Sequence, residues 1–135
     1  MDEKRILVVD DEQQIRDMYS QAFSRAGYMV KTAKSAEEAI EILENERYWV
    51  MFLDLDLPEM NGVDLCRQIC RDNPMAICYA VTGYASLFEL NDCREAGFED
   101  YFTKPAGLSD LLDTAAHAFT KIERWKKTMI SRNSF

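Results

Sequence analysis

Apolar runs and helical periods alternate five times along this chain. The first run, Ile6-Leu7-Val8-Val9, is short and rich in β-branched residues and is closed by Asp10-Asp11. It reads as a strand buried on both faces. Ile15, Met18, Tyr19, Ala22, Phe23 and Ala26 follow at spacings of 3, 1, 3, 1 and 3, which is one helical face. Gly27 marks its stop. Residues 28–33 read as a second strand. Ser35 then opens a helix as N-cap, with Glu38 completing a capping box, and Ile40 and Leu43 carry it to about Asn45. Trp49 to Leu53 form a third apolar run, closed by Asp54. Pro58, Asn61 and Gly62 mark a loop before a helix carrying Val63, Cys66, Ile69 and Cys70. Beyond Pro74, residues 76–81 read as a fourth strand. A weaker helical pattern (Leu87, Leu90, Cys93, Ala96) ends at Gly97. Tyr101-Phe102-Thr103 is a short fifth strand closed by Lys104-Pro105.

Strands alternating with helices predict an α/β fold of (βα)5 type, a doubly wound parallel sheet of five strands. Right-handed crossovers put the carboxyl ends of all strands on one edge, where ligands gather near the reversal of strand order. The last apolar stripe begins at Leu108 and passes through Phe119 and Ile122 to Trp125 and Met129. A helix over 108–130 would be about 34 Å long at 1.5 Å per residue. A compact sheet needs less, so its last two turns are expected to leave the domain. The domain is assigned to residues 1–120 and the C-terminal helical extension or linker to 121–135.

Charge sharpens this division. The chain of 135 residues carries 24 acids and 16 bases, a net −8. Five bases and one acid fall in residues 121–135, leaving −12 on the first 120. An acidic body argues against direct nucleic-acid binding. No apolar run is long enough to span a membrane, and the start lacks a signal-peptide pattern. Cys66, Cys70, Cys78 and Cys93 show no CxxC spacing and no nearby His. They read as buried or half-buried thiols in a reducing cytoplasm. His117 reads as an ordinary helix residue.

The candidate chemistry lies where strands end. Asp10 and Asp11 end the first strand, Asp54 the third, Thr82 the fourth and Lys104 the fifth. Two like charges at about 4 Å repel by roughly 1 kcal/mol in water and several-fold more near a protein interior. Three converging carboxylates therefore call for a cation, and Mg²⁺ suits oxygen donors of this kind. A bare carboxylate is also a nucleophile toward phosphorus. Lys104 adds a second positive charge and Thr82 a hydroxyl donor, which completes a phosphoryl-accepting set. Singly, each residue has a plainer reading as a helix cap, a surface lysine or a β-former. The set of five in this order is what points to function.

These residues carry a family resemblance. Ile6-Leu7-Val8-Val9-Asp10-Asp11-Glu12, the segment Asp54-Leu55-Asp56-Leu57-Pro58-Glu59-Met60-Asn61-Gly62, Val81-Thr82-Gly83 and Tyr101-Phe102-Thr103-Lys104-Pro105 together resemble the receiver domain of two-component response regulators. The resemblance covers about residues 4–120. It implies the flavodoxin-like strand order 2-1-3-4-5. It further implies Asp54 as phosphoacceptor from a sensor histidine kinase or a histidine phosphotransfer protein. Asp11 would be a direct Mg²⁺ ligand, Asp10 its partner through water, and the Asp56 backbone carbonyl a further ligand. Lys104 would pair with phosphoryl oxygens, and Thr82 and Tyr101 would be the switch pair. A cis Lys104-Pro105 bond is also implied, since X-Pro bonds adopt cis at low cost. The output face would be helix 4, strand 5 and helix 5, with a homodimer formed there or through the extended helix 5.

Asp56 is acidic where many members have a neutral residue. Tyr84, two after Thr82, is expected to shield an acyl phosphate from water. Asp54-Leu55-Asp56 also looks like the nucleophile motif of haloacid-dehalogenase-type phosphatases. That family usually has the motif near the N-terminus of a larger chain, and here it lies on strand 3. A flavodoxin-like mononucleotide binder would want a phosphate loop after strand 1, where Asp10-Asp11-Glu12 would repel phosphate. A pseudo-receiver fits poorly with a complete acceptor set. No DNA-binding, cyclase or ATPase segment is evident, so the chain is expected to be a single-domain regulator or a receiver excised from a longer protein.

Overall fold

The computed structural model describes residues 3–83 and 87–133. Five strands, β1 (Arg5–Val9), β2 (Met29–Ala33), β3 (Val50–Asp54), β4 (Ile77–Thr82) and β5 (Asp100–Thr103), alternate with five helices. These are α1 (Gln13–Arg25), α2 (Ala36–Asn45), α3 (Gly62–Asp72), α4 (Leu87–Ala96) and α5 (Leu108–Asn133). All strand pairs are parallel and the order is β2-β1-β3-β4-β5. The (βα)5 expectation and its strand order hold, with most element ends shifted by a residue or so and α5 running three residues past 130.

The unbroken apolar strands follow from burial on both faces. Leu7, Val9, Met51, Leu53 and Ala80 pack under α2, α3 and α4. Their alternate neighbours, among them Ile6, Val8, Phe52 and Tyr79, pack under α1 and α5. On the second face, Phe52 stacks between Phe23 and Tyr79 with centroids 5.1 and 5.2 Å apart. Offset ring pairs of this kind add roughly 0.5–1.5 kcal/mol each beyond area burial.

Local signals set the element ends. Gly27 takes φ +98°, a conformation open to glycine, and its N–H donates to the Ser24 carbonyl at 3.0 Å to close α1. Ser35 Oγ accepts from the Glu38 N–H at 3.1 Å. Glu38 Oε1 accepts from the Lys34 N–H rather than from Ser35, so the box is displaced by one residue. Asn61 Oδ1 caps α3 by accepting from the Asp64 N–H at 2.9 Å.

α5 is 26 residues, about 39 Å at 1.5 Å per residue. Ile122 is the last residue of its stripe packed in the core, whereas Trp125 is 56% and Met129 46% exposed. Lys126 Nζ still reaches over the Trp49 ring, 4.4 Å from its centroid. Among the described residues no helix is long and apolar enough to cross a membrane. Tyr84 lies outside the described residues.

Candidate functional site

Parallel pairing brings the strand ends to one edge. Register pairs Val9 with Leu53, Asp54 with Val81 and Thr82 with Thr103, so Asp10, Asp54, Thr82 and Lys104 finish their strands side by side. Asp10, Asp54 and Thr82 are buried, and Lys104 is nearly so. The Lys104 N–H donates to the Thr82 carbonyl at 2.7 Å, which fixes the lysine beside the end of β4. The Lys104–Pro105 bond is cis, as the resemblance implies.

Lys104 Nζ lies 2.9 Å from Asp10 Oδ2 and 3.3 Å from Asp54 Oδ2, bridging the two buried acids. It also lies 3.5 Å from Glu12 Oε1. The other oxygen of each acid is used by backbone. Asp10 Oδ1 accepts from the Glu12 N–H at 2.9 Å, and Asp54 Oδ1 accepts from the Asp56 N–H at 3.1 Å. Arg16 Nη1 donates to the Asp10 carbonyl at 2.8 Å and holds the loop from outside.

Burial pushes the Asp54 carboxyl above its ordinary value, and the Asp10 charge adds to that push. The Asp56 N–H and Lys104 work against it. Burial also drags on the Lys104 ammonium, but its hydrogen bond to Asp10 and the two carboxylate charges outweigh this and raise it. Both directions agree with one cation shared between two acids: the lysine gains two partners, while each acid gains part of one.

The loop after β3 folds back onto its own strand end. The Gly62 N–H donates to the Leu55 carbonyl at 3.1 Å. A Cβ on Gly62 would collide with the Asp54 carbonyl oxygen and would come within 2.9 Å of Leu55 Cα. Glycine at this position therefore follows from how closely the backbone passes the acid-bearing strand.

The expected acids divide into two groups. Asp10 and Asp54 meet on Lys104. Asp11 is exposed, and its carboxylate lies with those of Asp10 and Glu12, all within 4.8 Å of one another. Asp56 is exposed, next to the acceptor strand. Tyr101 stands 42% exposed on β5. Sequence reasoning missed three neighbours. Glu12 continues the Asp10-Asp11 run and could have been counted with it. Arg16 and Tyr19 are separated from the acids by a helix turn or more. Burial raises the Tyr19 hydroxyl, and the charges of Lys104, Asp10 and Asp54 all reach it.

Residues 6–116 match the family model described as response regulator receiver domain. Over 108 residues, 80% of this chain, it is 33% identical to response regulator MprA of Mycobacterium sp. (strain KMS). It is 36% identical over 102 residues, 76% of this chain, to the alkaline phosphatase synthesis transcriptional regulatory protein PhoP of Bacillus subtilis. The matches span 47% and 42% of those two proteins, so the chain matches less than half the length of these curated relatives. A solved CheY-like receiver domain from Methanospirillum hungatei superposes with a TM-score of 0.88 at 34% identity, covering 91% of this chain and 98% of that one. With an acid-and-lysine edge on a sheet of this order, and relatives of this kind along most of its length, the chain belongs to the response regulator receiver domain family of two-component systems.

Proposed function

We propose that Asp54 accepts a phosphoryl group from the phosphohistidine of a sensor histidine kinase or histidine phosphotransfer protein. The observation that carries this reading is the Lys104 bridge, 2.9 Å to Asp10 and 3.3 Å to Asp54, which sets an acceptor carboxylate and a cation on one edge. In the transfer, the histidine nitrogen–phosphorus bond breaks as an Asp54 oxygen–phosphorus bond forms.

Four carboxylates (Asp10, Asp11, Glu12 and Asp54) and one ammonium leave a net negative charge where a phosphoryl group must arrive. An all-oxygen donor set of this kind fits Mg²⁺. Asp10, Asp11, Asp54 and the Asp56 carbonyl are the proposed ligands. When bound, the ion supplies positive charge to the phosphoryl oxygens. Lys104 exchanges its carboxylate partners for those oxygens. The Thr82 hydroxyl donates to the phosphoryl group, and Tyr101, exposed here, turns inward with it.

Phosphorylation adds roughly −1.5 to −2 charges, enough to bias a two-state loop. The face of α4, β5 and α5 is the proposed output surface. Residues 1–120 form the receiver and 121–135 an extension that carries the signal to a dimer partner or an output module. Cytoplasmic residence accompanies this reading.

Incubation with acetyl phosphate and Mg²⁺ is expected to add the mass of one phosphoryl group to the wild type and none to Asp54→Ala. Equal labelling of both, or no labelling of the wild type, refutes the proposal. Sedimentation with and without beryllofluoride tests the dimer. A monomer in both states, unchanged by Trp125→Ala, removes it.

A further inference from the structure

We propose that Cys66, Cys70 and Cys78 form a binding site for one soft, thiophilic ion, held by three cysteine sulfurs away from the acidic edge. Cys66 and Cys70 are four residues apart on α3 and share its inner face. Cys78 reaches them from β4, on the side of the sheet covered by α3 and α4. It precedes Thr82 by four residues, about 13 Å along the strand from the acidic edge at 3.3 Å per residue.

The three sulfurs all lie within 4.8 Å of one another, with Cys66 and Cys70 at 3.8 Å. The centre of a triangle with 4.8 Å edges is about 2.8 Å from each corner, and thiolate–metal bonds are about 2.3 Å. Closing on an ion in the plane of the sulfurs therefore asks each sulfur to move by about 0.5 Å at most, and a pyramidal centre such as arsenic(III) asks for somewhat more, both through χ1 changes. Weak sulfur contacts also hold two of the thiols, Cys66 Sγ at 3.6 Å from the Ala96 carbonyl and Cys70 Sγ at 3.9 Å from that of Gly97.

Access is built into the same corner. Cys66 and Cys78 are buried, but Cys70 is half-buried. Gly97 passes over it with no side chain, and a Cβ there would stand 2.9 Å from Cys70 Sγ. An alanine at this position would press on the sulfur, whereas the glycine leaves it open.

The donor set selects the occupant. Sulfur alone disfavours Mg²⁺ and Ca²⁺ and favours soft ions. The chain's single His, His117, lies on α5, across the sheet from the thiols, so no imidazole joins. Net charge decides further, because an uncompensated charge in an apolar interior is costly. Arsenite, As(OH)₃, leaves the triad neutral: three S–H and three As–OH bonds break, and three As–S bonds and three waters form. Cd²⁺ would release three protons and leave one negative charge. A trivalent thiophile is therefore the favoured occupant.

The full chain, reduced and freed of reductant, is titrated with arsenite and separately with Cd²⁺, and read by native mass spectrometry and by ultraviolet sulfur-to-metal absorbance. Wild type is expected to bind one arsenite, at least tenfold more tightly than Cys70→Ala, with Cys93→Ala unchanged. Cys78→Ala should match Cys70→Ala if it folds. Cys70 is half-buried and carries the test if it does not, with thermal melting checking each variant. Binding of Cd²⁺ alone with the same cysteine dependence keeps the trithiolate site and makes its occupant divalent. Binding of neither ion, binding that survives Cys70→Ala, or equal loss in Cys93→Ala overturns the proposal and leaves the thiols as packing groups.

Discussion

Replacing Asp54 by Asn should stabilise the protein in the absence of Mg²⁺. The side chain is 3% exposed, and Asn has the same shape. Its carbonyl oxygen still accepts the Asp56 N–H now held at 3.1 Å, and its NH₂ group takes the place of Oδ2, so the Lys104 ammonium must draw back from it toward Asp10. Lys104 keeps Asp10 at 2.9 Å and Glu12 at 3.5 Å. The substitution deletes an attraction to Lys104, about 5 kcal/mol at 3.3 Å and an effective dielectric constant near 20, and with it the repulsion from Asp10 that opposes this attraction. What remains is the cost of burying a carboxylate, which is also the largest cause of the raised Asp54 value. Replacing one member of a buried charge cluster with a neutral group of equal shape then yields about 1 kcal/mol, roughly 3–5 °C in melting temperature for a chain of this size.

The sign of the pH dependence follows from linkage. Folded Asp54 holds its proton to higher pH than the unfolded chain does, so its contribution is full below the ordinary value near 3.8 and is lost as pH rises through the raised one. The advantage of Asn should therefore be absent at the acid end, open as pH rises above about 4 and level off once pH has passed the raised value. Mg²⁺ should narrow it, because an ion at ten times its dissociation constant stabilises the wild type by about 1.4 kcal/mol and the variant by less. Urea unfolding in EDTA from pH 4 to 8, repeated with Mg²⁺, measures all of this. A variant less stable than wild type by more than about 0.5 kcal/mol at pH 7, or a difference that does not change with pH, would refute the reasoning.

Gly62→Ala should cost about 1–3 kcal/mol in urea unfolding and slow phosphorylation of Asp54, because the new methyl group meets backbone that must move; a loss below about 0.5 kcal/mol counts against the close approach. Ser35→Ala should cost about 1 kcal/mol by orphaning the Glu38 N–H, and Ser35→Gly only a few tenths. Ile122→Ala should cost roughly 2–5 kcal/mol, while Trp125→Ala should stay within about 0.5 kcal/mol of wild type in the monomer. Equal effects at positions 122 and 125 would show that the core packing of α5 does not end between them.

Much of the fold was legible because its signals are local. Runs such as Ile6–Val9 are apolar without alternation, which marks strands covered on both faces. Ser35, Asn61 and Gly27 set helix ends through bonds to residues at most three or four positions away. The acids and Lys104 were legible as strand-end residues, since parallel pairing with helical crossovers leaves one edge for all of them.

How charges pair across that edge depends on contacts between residues far apart in the chain. Lys104 joins Asp10 and Asp54, 94 and 50 positions away, and leaves Asp11 exposed beside Glu12. Nothing in the spacing of Asp10-Asp11 tells which of two adjacent acids points inward, because a residue just past a strand is freed from the strict alternation within it. Tyr19 looked like one more apolar position of its helix until packing brought its hydroxyl within reach of the site charges. The cysteines show the same division. Cys66 and Cys70 declare their shared helix face by spacing alone, but Cys78 joins them only when β4 enters the sheet beneath α3. The sequence by itself determined the elements, their order and which residues end the strands, through local propensity and hydrophobic period. Only the tertiary structure decided which side chains touch, because those contacts are made by chain segments whose separation in sequence carries no record of their distance in space.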